Sequence, residues 1–126
     1  AGAKEPLEAF DKGIGNSQQL PIAVLIGPST ASFGEVFAGA LRASATDRVA
    51  LIGLPSAGNI EVLNAKDLSD GSLAWIATQT FQLPDGSGWE GTGLKPDIAV
   101  DAEWDAVTPE KDAVIDAAVA YLESKR

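Results

Sequence analysis

The stretch from Gly27 to Leu41, GPSTASFGEVFAGAL, passes from small polar residues into apolar residues at helical spacing, with Ser32 at the joint. Two chemistries fit a serine in that place. In the first, Ser32-x-x-Glu35 is a capping box: the serine oxygen accepts a helix N–H and the glutamate reaches back to the cap. In the second, the serine is a nucleophile held at the carboxyl edge of a parallel sheet, where ligands tend to sit. Ser29, Thr30 and Ala31 are small enough to let a substrate backbone approach. The first N–H groups of a helix have no partner within it. The N–H of Phe33 is therefore a candidate oxyanion donor. A capping serine and a nucleophilic serine can occupy the same place, so the residues alone leave both readings open.

The chain restricts what could assist such a serine. It has no Cys and no His. Disulfides, thiolate zinc sites and cysteine nucleophiles are excluded, and so is a histidine base from these 126 residues. Any catalysis must use other residues or borrow a histidine from elsewhere. The carboxylates Asp67, Asp70, Asp97, Asp101, Glu103 and Asp105 do not follow the alternating spacing of a calcium loop, so no metal site is expected. Gly91-Thr92-Gly93 is too short for a dinucleotide fingerprint, and no cofactor is implied. Trp75, Trp89 and Trp104 read as packing residues, with Trp89 the best candidate for a binding groove.

The elements that must position Ser32 follow from the apolar pattern. Ile22–Ile26 is an unbroken apolar run, as expected of a strand buried on both faces of a parallel sheet. Positions 33, 36, 37, 40 and 41 predict a helix over 33–44. Val49–Gly53 is a second short apolar strand, and the order strand, helix, strand predicts a parallel βαβ unit. Residues 60–63 and 72–81 read as strands separated by an Asp70-Gly71 turn, and 89–92 as a brief strand. An amphipathic helix is expected near the start, through Ala3, Leu7, Phe10 and Ile14. A last helix is expected to begin at Thr108-Pro109-Glu110, with Val114, Ile115, Ala118, Val119 and Leu122 as its apolar face. No repeat, linker or low-complexity tract is seen, so residues 1–126 read as one domain.

TASFGEVFAGAL, ALIGLPSAGN, LSDGSLAWIATQTFQLPDG and WEGTGLKPDIAV occur in that order over residues 20–101. Together they resemble the C-terminal-processing (tail-specific) serine peptidases, and in particular their tricorn-like branch. The resemblance implies a crotonase- or ClpP-like ββα spiral, of which the chain would be the C-terminal part of the catalytic domain, and it assigns the nucleophile to Ser32. One branch of the family uses a Ser/Lys dyad, but Asn59 stands at the lysine position here and cannot take the proton. Lys66, seven residues on, is a weak substitute and reads as a solvated loop residue. The tricorn-like branch resembles a Ser-His-Ser-Glu tetrad, in which Glu90 would orient the base and favour the imidazolium. Its histidine and second serine would come from upstream sequence. Thr30, Ala31, Gly58, Asn59 and Trp89 are the expected substrate-contact residues.

Composition agrees with a globular protein. Nine basic residues face 18 acidic ones, for a net charge of −9. That balance disfavours nucleic acid and anionic membrane surfaces as partners. No apolar run is long enough to span a membrane. The chain contains no Met and is expected to be a processed product or fragment. The resulting expectation is a serine endopeptidase fragment acting on peptides or proteins, inactive by itself. The resemblance favours an extracytoplasmic setting, and an exposed sheet edge leads us to expect self-association. Two alternatives remain: a non-catalytic ligand- or peptide-binding module on the same fold, and a domain that serves only folding or assembly.

Overall fold

The computed structural model describes residues 15, 17–101, 107, 108 and 110–126. The expected helix over residues 3–14, Trp104, the carboxylates Glu103 and Asp105, and Pro109 lie outside the described residues. The element order is β1 (Ile22–Ile26), α1 (Phe33–Ser44), β2 (Val49–Gly53), β3 (Glu61–Asp67), β4 (Leu73–Thr80), β5 (Ile98–Ala99) and α2 (Ala113–Ser124).

β1 and β2 pair in parallel, Ile22 opposite Val49 through Ile26 opposite Gly53. α1 connects them, so the expected βαβ unit is present, and the architecture is the α/β class expected from the sequence. β5 adds to the other side of β2, also in parallel. β2 is therefore the central strand, and all five of its residues are buried. β1 holds the edge of this sheet among the described residues and is only half-buried, with Leu25 exposed.

The sheet has a core on each face because strand side chains alternate. Ile26 and Leu51 pack with Ala38 of α1 and with Ile60, Trp89 and Leu94. Ala50 and Ile52 pack with Ala118 of α2. Full burial of Leu51, Ile52 and Ile60 contributes about 1.5–3 kcal/mol each. Gly39 lets α1 lie directly on the Trp89 ring: a Cβ there would stand 2.4 Å from the indole.

Asp97 brings the chain back to this sheet. Its N–H donates to the Leu51 carbonyl (2.7 Å) and its carboxylate accepts from the Leu51 N–H (2.9 Å), which aligns β5 beside β2. Its other oxygen pairs with Arg42 in the last turn of α1.

Four expectations are corrected. Residues 89–92 form turns rather than a strand: the N–H groups of Thr92 and Gly93 both return to the Trp89 carbonyl, leaving no free ladder. The last helix begins later than Thr108. Thr108 pairs with Lys111 across a short bridge, and Asp112 is the true cap, accepting from Val114 and Ile115. The buried stripe of α2 is Val114, Ala117, Ala118 and Tyr121, while Ile115 and Val119 are half exposed. The small Ala118 and Ala117 allow close approach to β2, so the helix turns that face inward. β3 and β4 form an antiparallel hairpin longer than the strand expected over 60–63, and they pair with each other rather than with the three-stranded sheet.

Candidate active site

Two loops meet at the carboxyl end of the parallel sheet. The first, residues 27–32, leaves β1 through a turn in which the Thr30 N–H returns to the Gly27 carbonyl (2.8 Å). The Gly27 N–H in turn donates to the Thr30 hydroxyl. The second, residues 54–60, leaves β2. The loops are stitched together by Ala57 N–H to the Thr30 carbonyl (2.9 Å) and Ser32 N–H to the Asn59 carbonyl (2.7 Å).

Ser32 sits at the exposed tip of the first loop with φ +54° and ψ −129°. It is the only non-glycine at positive φ among the described residues. A residue with a Cβ resists that backbone shape, at a cost on the order of 1–3 kcal/mol. Strand, strained serine and helix together make the sharp turn that projects a side chain from a sheet edge.

The capping-box reading of Ser32 is not realised. Its side chain makes no cap hydrogen bond. The N–H groups of Gly34, Glu35 and Val36 are satisfied by the Ala31 and Ser32 carbonyls, but no protein acceptor meets the Phe33 N–H among the described residues. That leaves one backbone donor free beside the serine, at the positive end of a helix.

Glu35 turns inward and is fully buried. One carboxylate oxygen accepts from the Ser56 hydroxyl and the Gly58 N–H (2.9 Å). The other accepts from the Asn59 N–H (2.8 Å). Ser56 also accepts from the Leu94 N–H through the same hydroxyl oxygen. Sequence reasoning missed this cluster. The Ser32-x-x-Glu35 spacing was its one visible signal, but that spacing serves a cap equally well.

Glu90 lies on the turn after Trp89 and is exposed. Its carboxylate accepts from the Ile60 N–H (2.8 Å). The Asn59 carbonyl and the Ile60 N–H belong to one planar peptide group. Ser32 holds one end of that group through its own N–H, and Glu90 holds the other. The two residues, 58 positions apart in sequence, thus stand one peptide unit from each other. The turn fits closely against the second loop: the Gly91 N–H donates to the Gly58 carbonyl, and a Cβ on Gly93 would stand 2.2 Å from the Ser56 carbonyl oxygen.

The remaining expected residues divide. Thr30, Ala31, Gly58 and Asn59 all lie in the two loops flanking Ser32. Trp89 does not line an open groove beside Ser32: it is buried in the core against Gly39, because the flat indole fills the space that glycine leaves. Asn59 directs its amide to Glu61 (3.3 Å). Lys66 is exposed on β3, roughly 20 Å further along extended chain than Ile60. Phe33 is exposed and meets Phe81 edge to face. Beyond this pair a cavity of about 380 Å³ runs between α1 and residues 81–84, lined by Val36, Ala40, Phe81, Leu83 and Pro84 with Trp89 at its base. Among the described residues no three His, Cys, Asp or Glu side chains gather as a metal site would require.

The chain is similar to known proteins. A CtpA-like serine protease of Staphylococcus aureus is 28% identical over 97 residues, which is 77% of this chain and 19% of that protein. The chain thus spans about a fifth of the length of the curated relatives it matches. The structure of the photosystem II D1 C-terminal processing protease is 36% identical over 64% of this chain and 20% of its own, with a TM-score of 0.57. The tricorn protease structure matches 82% of this chain and 10% of its own at 24% identity and a TM-score of 0.66, which shows a shared fold. The model of peptidase family S41 matches residues 2–100. A strained serine at a strand-to-helix joint and this match over most of the sequence lead to one conclusion: the chain belongs to peptidase family S41.

Proposed function

We propose that the chain carries the nucleophile-bearing part of a serine endopeptidase. Ser32 attacks the scissile carbonyl, and the Phe33 N–H helps hold the oxyanion. Glu90 supports a histidine base supplied by sequence outside these 126 residues. The observation that carries this reading is the backbone of Ser32, φ +54° and ψ −129°, in an exposed serine whose hydroxyl caps nothing. Strain of this kind persists where the surroundings enforce it, and it gathers at sites that need a side chain aimed outward.

The steps follow from those positions. The base takes the Ser32 proton as Oγ bonds to the carbonyl carbon. Negative charge collects on the carbonyl oxygen, where a single backbone donor contributes about 10²–10³-fold in rate. The protonated base then gives its proton to the leaving amine. Water, activated by the same base, releases the acyl group from Ser32. The Glu90 carboxylate favours the charged form of the base during both transfers. Thr30, Ala31, Gly58 and Asn59 flank the line along which a peptide would reach the serine. Peptides or proteins are accordingly the proposed substrates, and an extracytoplasmic setting the proposed location. Among the described residues no helix is long and apolar enough to cross a membrane.

A fluorophosphonate probe tests this reading in the full-length protein. The expected result is one covalent adduct per chain, mapped to Ser32 by peptide mass spectrometry and lost in Ser32→Ala. The 126-residue chain alone should hydrolyse no peptide. An unmodified Ser32 in the full-length protein would overturn the peptidase reading.

A second reading is a non-catalytic binding module. The apolar cavity between α1 and residues 81–84, together with Asn59 in the place of a dyad lysine, supports it. Tight peptide or lipid binding without any covalent adduct would favour this reading.

A further inference from the structure

We propose that Glu35 is a positioning residue that sets the nucleophile and Glu90 on one rigid frame. The inference rests on the peptidase reading of Ser32 and adds to it a residue that never touches substrate. Glu35 is fully buried, three residues beyond Ser32, in the first turn of the helix that Ser32 opens. Its carboxylate is acceptor-only, as the three donors aimed at it require. Those donors are the Ser56 hydroxyl and the N–H groups of Gly58 and Asn59.

Three segments converge through this one group. α1 carries Ser32 and Glu35 together. The loop after β2 is held at Gly58 and Asn59, so the next peptide group is fixed in orientation. That group, Asn59–Ile60, accepts from the Ser32 N–H and donates to Glu90. The turn that carries Glu90 is tied in separately, by Leu94 N–H to the Ser56 hydroxyl and from there to Glu35. The burial of a carboxylate here is tolerable because its acceptor sites are occupied and it lies in the first turn of α1, at the positive end of the helix. An apolar side chain of similar size would fill the space but would release all three donors into a dry interior.

Glu35→Gln isolates the effect. The amide keeps one oxygen, enough for Ser56 and Gly58, and turns an NH₂ group toward the Asn59 N–H. Donor then faces donor at the residue whose carbonyl holds Ser32. Misplacing a reacting group by about 1 Å costs on the order of 100-fold in rate.

The test is made on the full-length protein, with the fluorophosphonate probe and a fluorogenic peptide. Glu35→Gln is expected to label to one adduct per chain, as the parent does. Its rate constant for Ser32 modification is expected to fall about 10–100-fold, with kcat falling in parallel and KM changing less than about twofold. An unchanged rate constant would overturn the proposal. So would a reduced number of labelled sites reacting at the parent rate, because that is the signature of a residue needed only for folding. If Glu35→Gln does not fold, Ser56→Ala decides: it cuts the tie to Leu94 and spares both backbone donors. A modification rate lowered at least about threefold supports the frame, and an unchanged rate refutes it. Should the parent itself fail to label, the nucleophile reading falls and the frame is judged by amide hydrogen exchange. Glu35→Gln should then speed exchange at Ser32, Asn59 and Ile60 relative to Leu51 and Ile52, and equal protection of these amides in parent and variant would sink it.

Discussion

The two helices among the described residues begin in opposite ways. α2 opens at Asp112 with extended backbone, φ −137° and ψ 107°, and the Asp112 side chain accepts from the N–H groups of Val114 and Ile115. That is how a helix start ordinarily satisfies its orphan donors. α1 opens at Ser32, a good capping residue by type, yet its hydroxyl makes no cap hydrogen bond and its backbone is strained. The glutamate that would complete the cap is buried and holds another loop instead. One start is built for stability. The other gives up about 1 kcal/mol of capping and on the order of 1–3 kcal/mol in strain, and leaves an exposed hydroxyl beside an N–H that meets no acceptor among the described residues. The difference teaches that residue type at a cap position does not decide its use. The neighbouring loop does.

This contrast can be broken at several points. The largest expected effect is on Ser32→Ala, which should abolish the covalent adduct and lower peptide hydrolysis in the full-length protein by about 10⁴–10⁶-fold. Asp112→Ala should leave both unchanged. Next comes Gly58→Ala. Gly58 has φ +75°, and a Cβ would stand 2.6 Å from the Gly93 nitrogen. Denaturant melts should show a loss of at least about 2 kcal/mol, because backbone on both sides must shift. Asp112→Ala is expected to cost about 1 kcal/mol in the same assay. Ser32→Gly should do the reverse: with no Cβ to strain, the melting temperature rises by roughly 3–6 °C while activity is lost. A fall in melting temperature there would show that Ser32 stabilises α1 after all.

The smallest effect belongs to two turns of like sequence. In Asp70-Gly71-Ser72 and Asp85-Gly86-Ser87, the serine hydroxyl and then the serine N–H hold each aspartate carboxyl below the ordinary range. Depressed values mean that any contribution to stability is present above the usual carboxylate range and fades as pH falls through the lowered values. NMR titration should place both midpoints below 3.8, and Ser72→Ala should return Asp70 toward that value without moving Asp85.

Much of the frame could be read from the pattern of residues. The apolar runs 22–26 and 49–53 and the helical spacing between them require a parallel βαβ unit, and that unit places residue 32 at the sheet's carboxyl edge. The start of α2 is not legible locally: Thr108-Pro109 has the form of a helix start, whereas Thr108 is taken by a bridge to Lys111. Trp89 reads as a packing residue with a groove as the alternative, and its place beside Glu90 does not say what it packs against. Its burial depends on Gly39, 50 positions away, and no local pattern announces that pairing.

The parallel βαβ unit, the absence of a histidine from these 126 residues and the position of Ser32 at a joint were all determined by the sequence, since hydrophobic period and residue type act within a few positions along the chain. The direction of Glu35, the strained backbone of Ser32 and the meeting of Glu90 with Ile60 were decided by tertiary structure alone. Their partners lie 21 to 30 residues away, and a hydrogen bond depends on distance in space, which only the closed fold supplies.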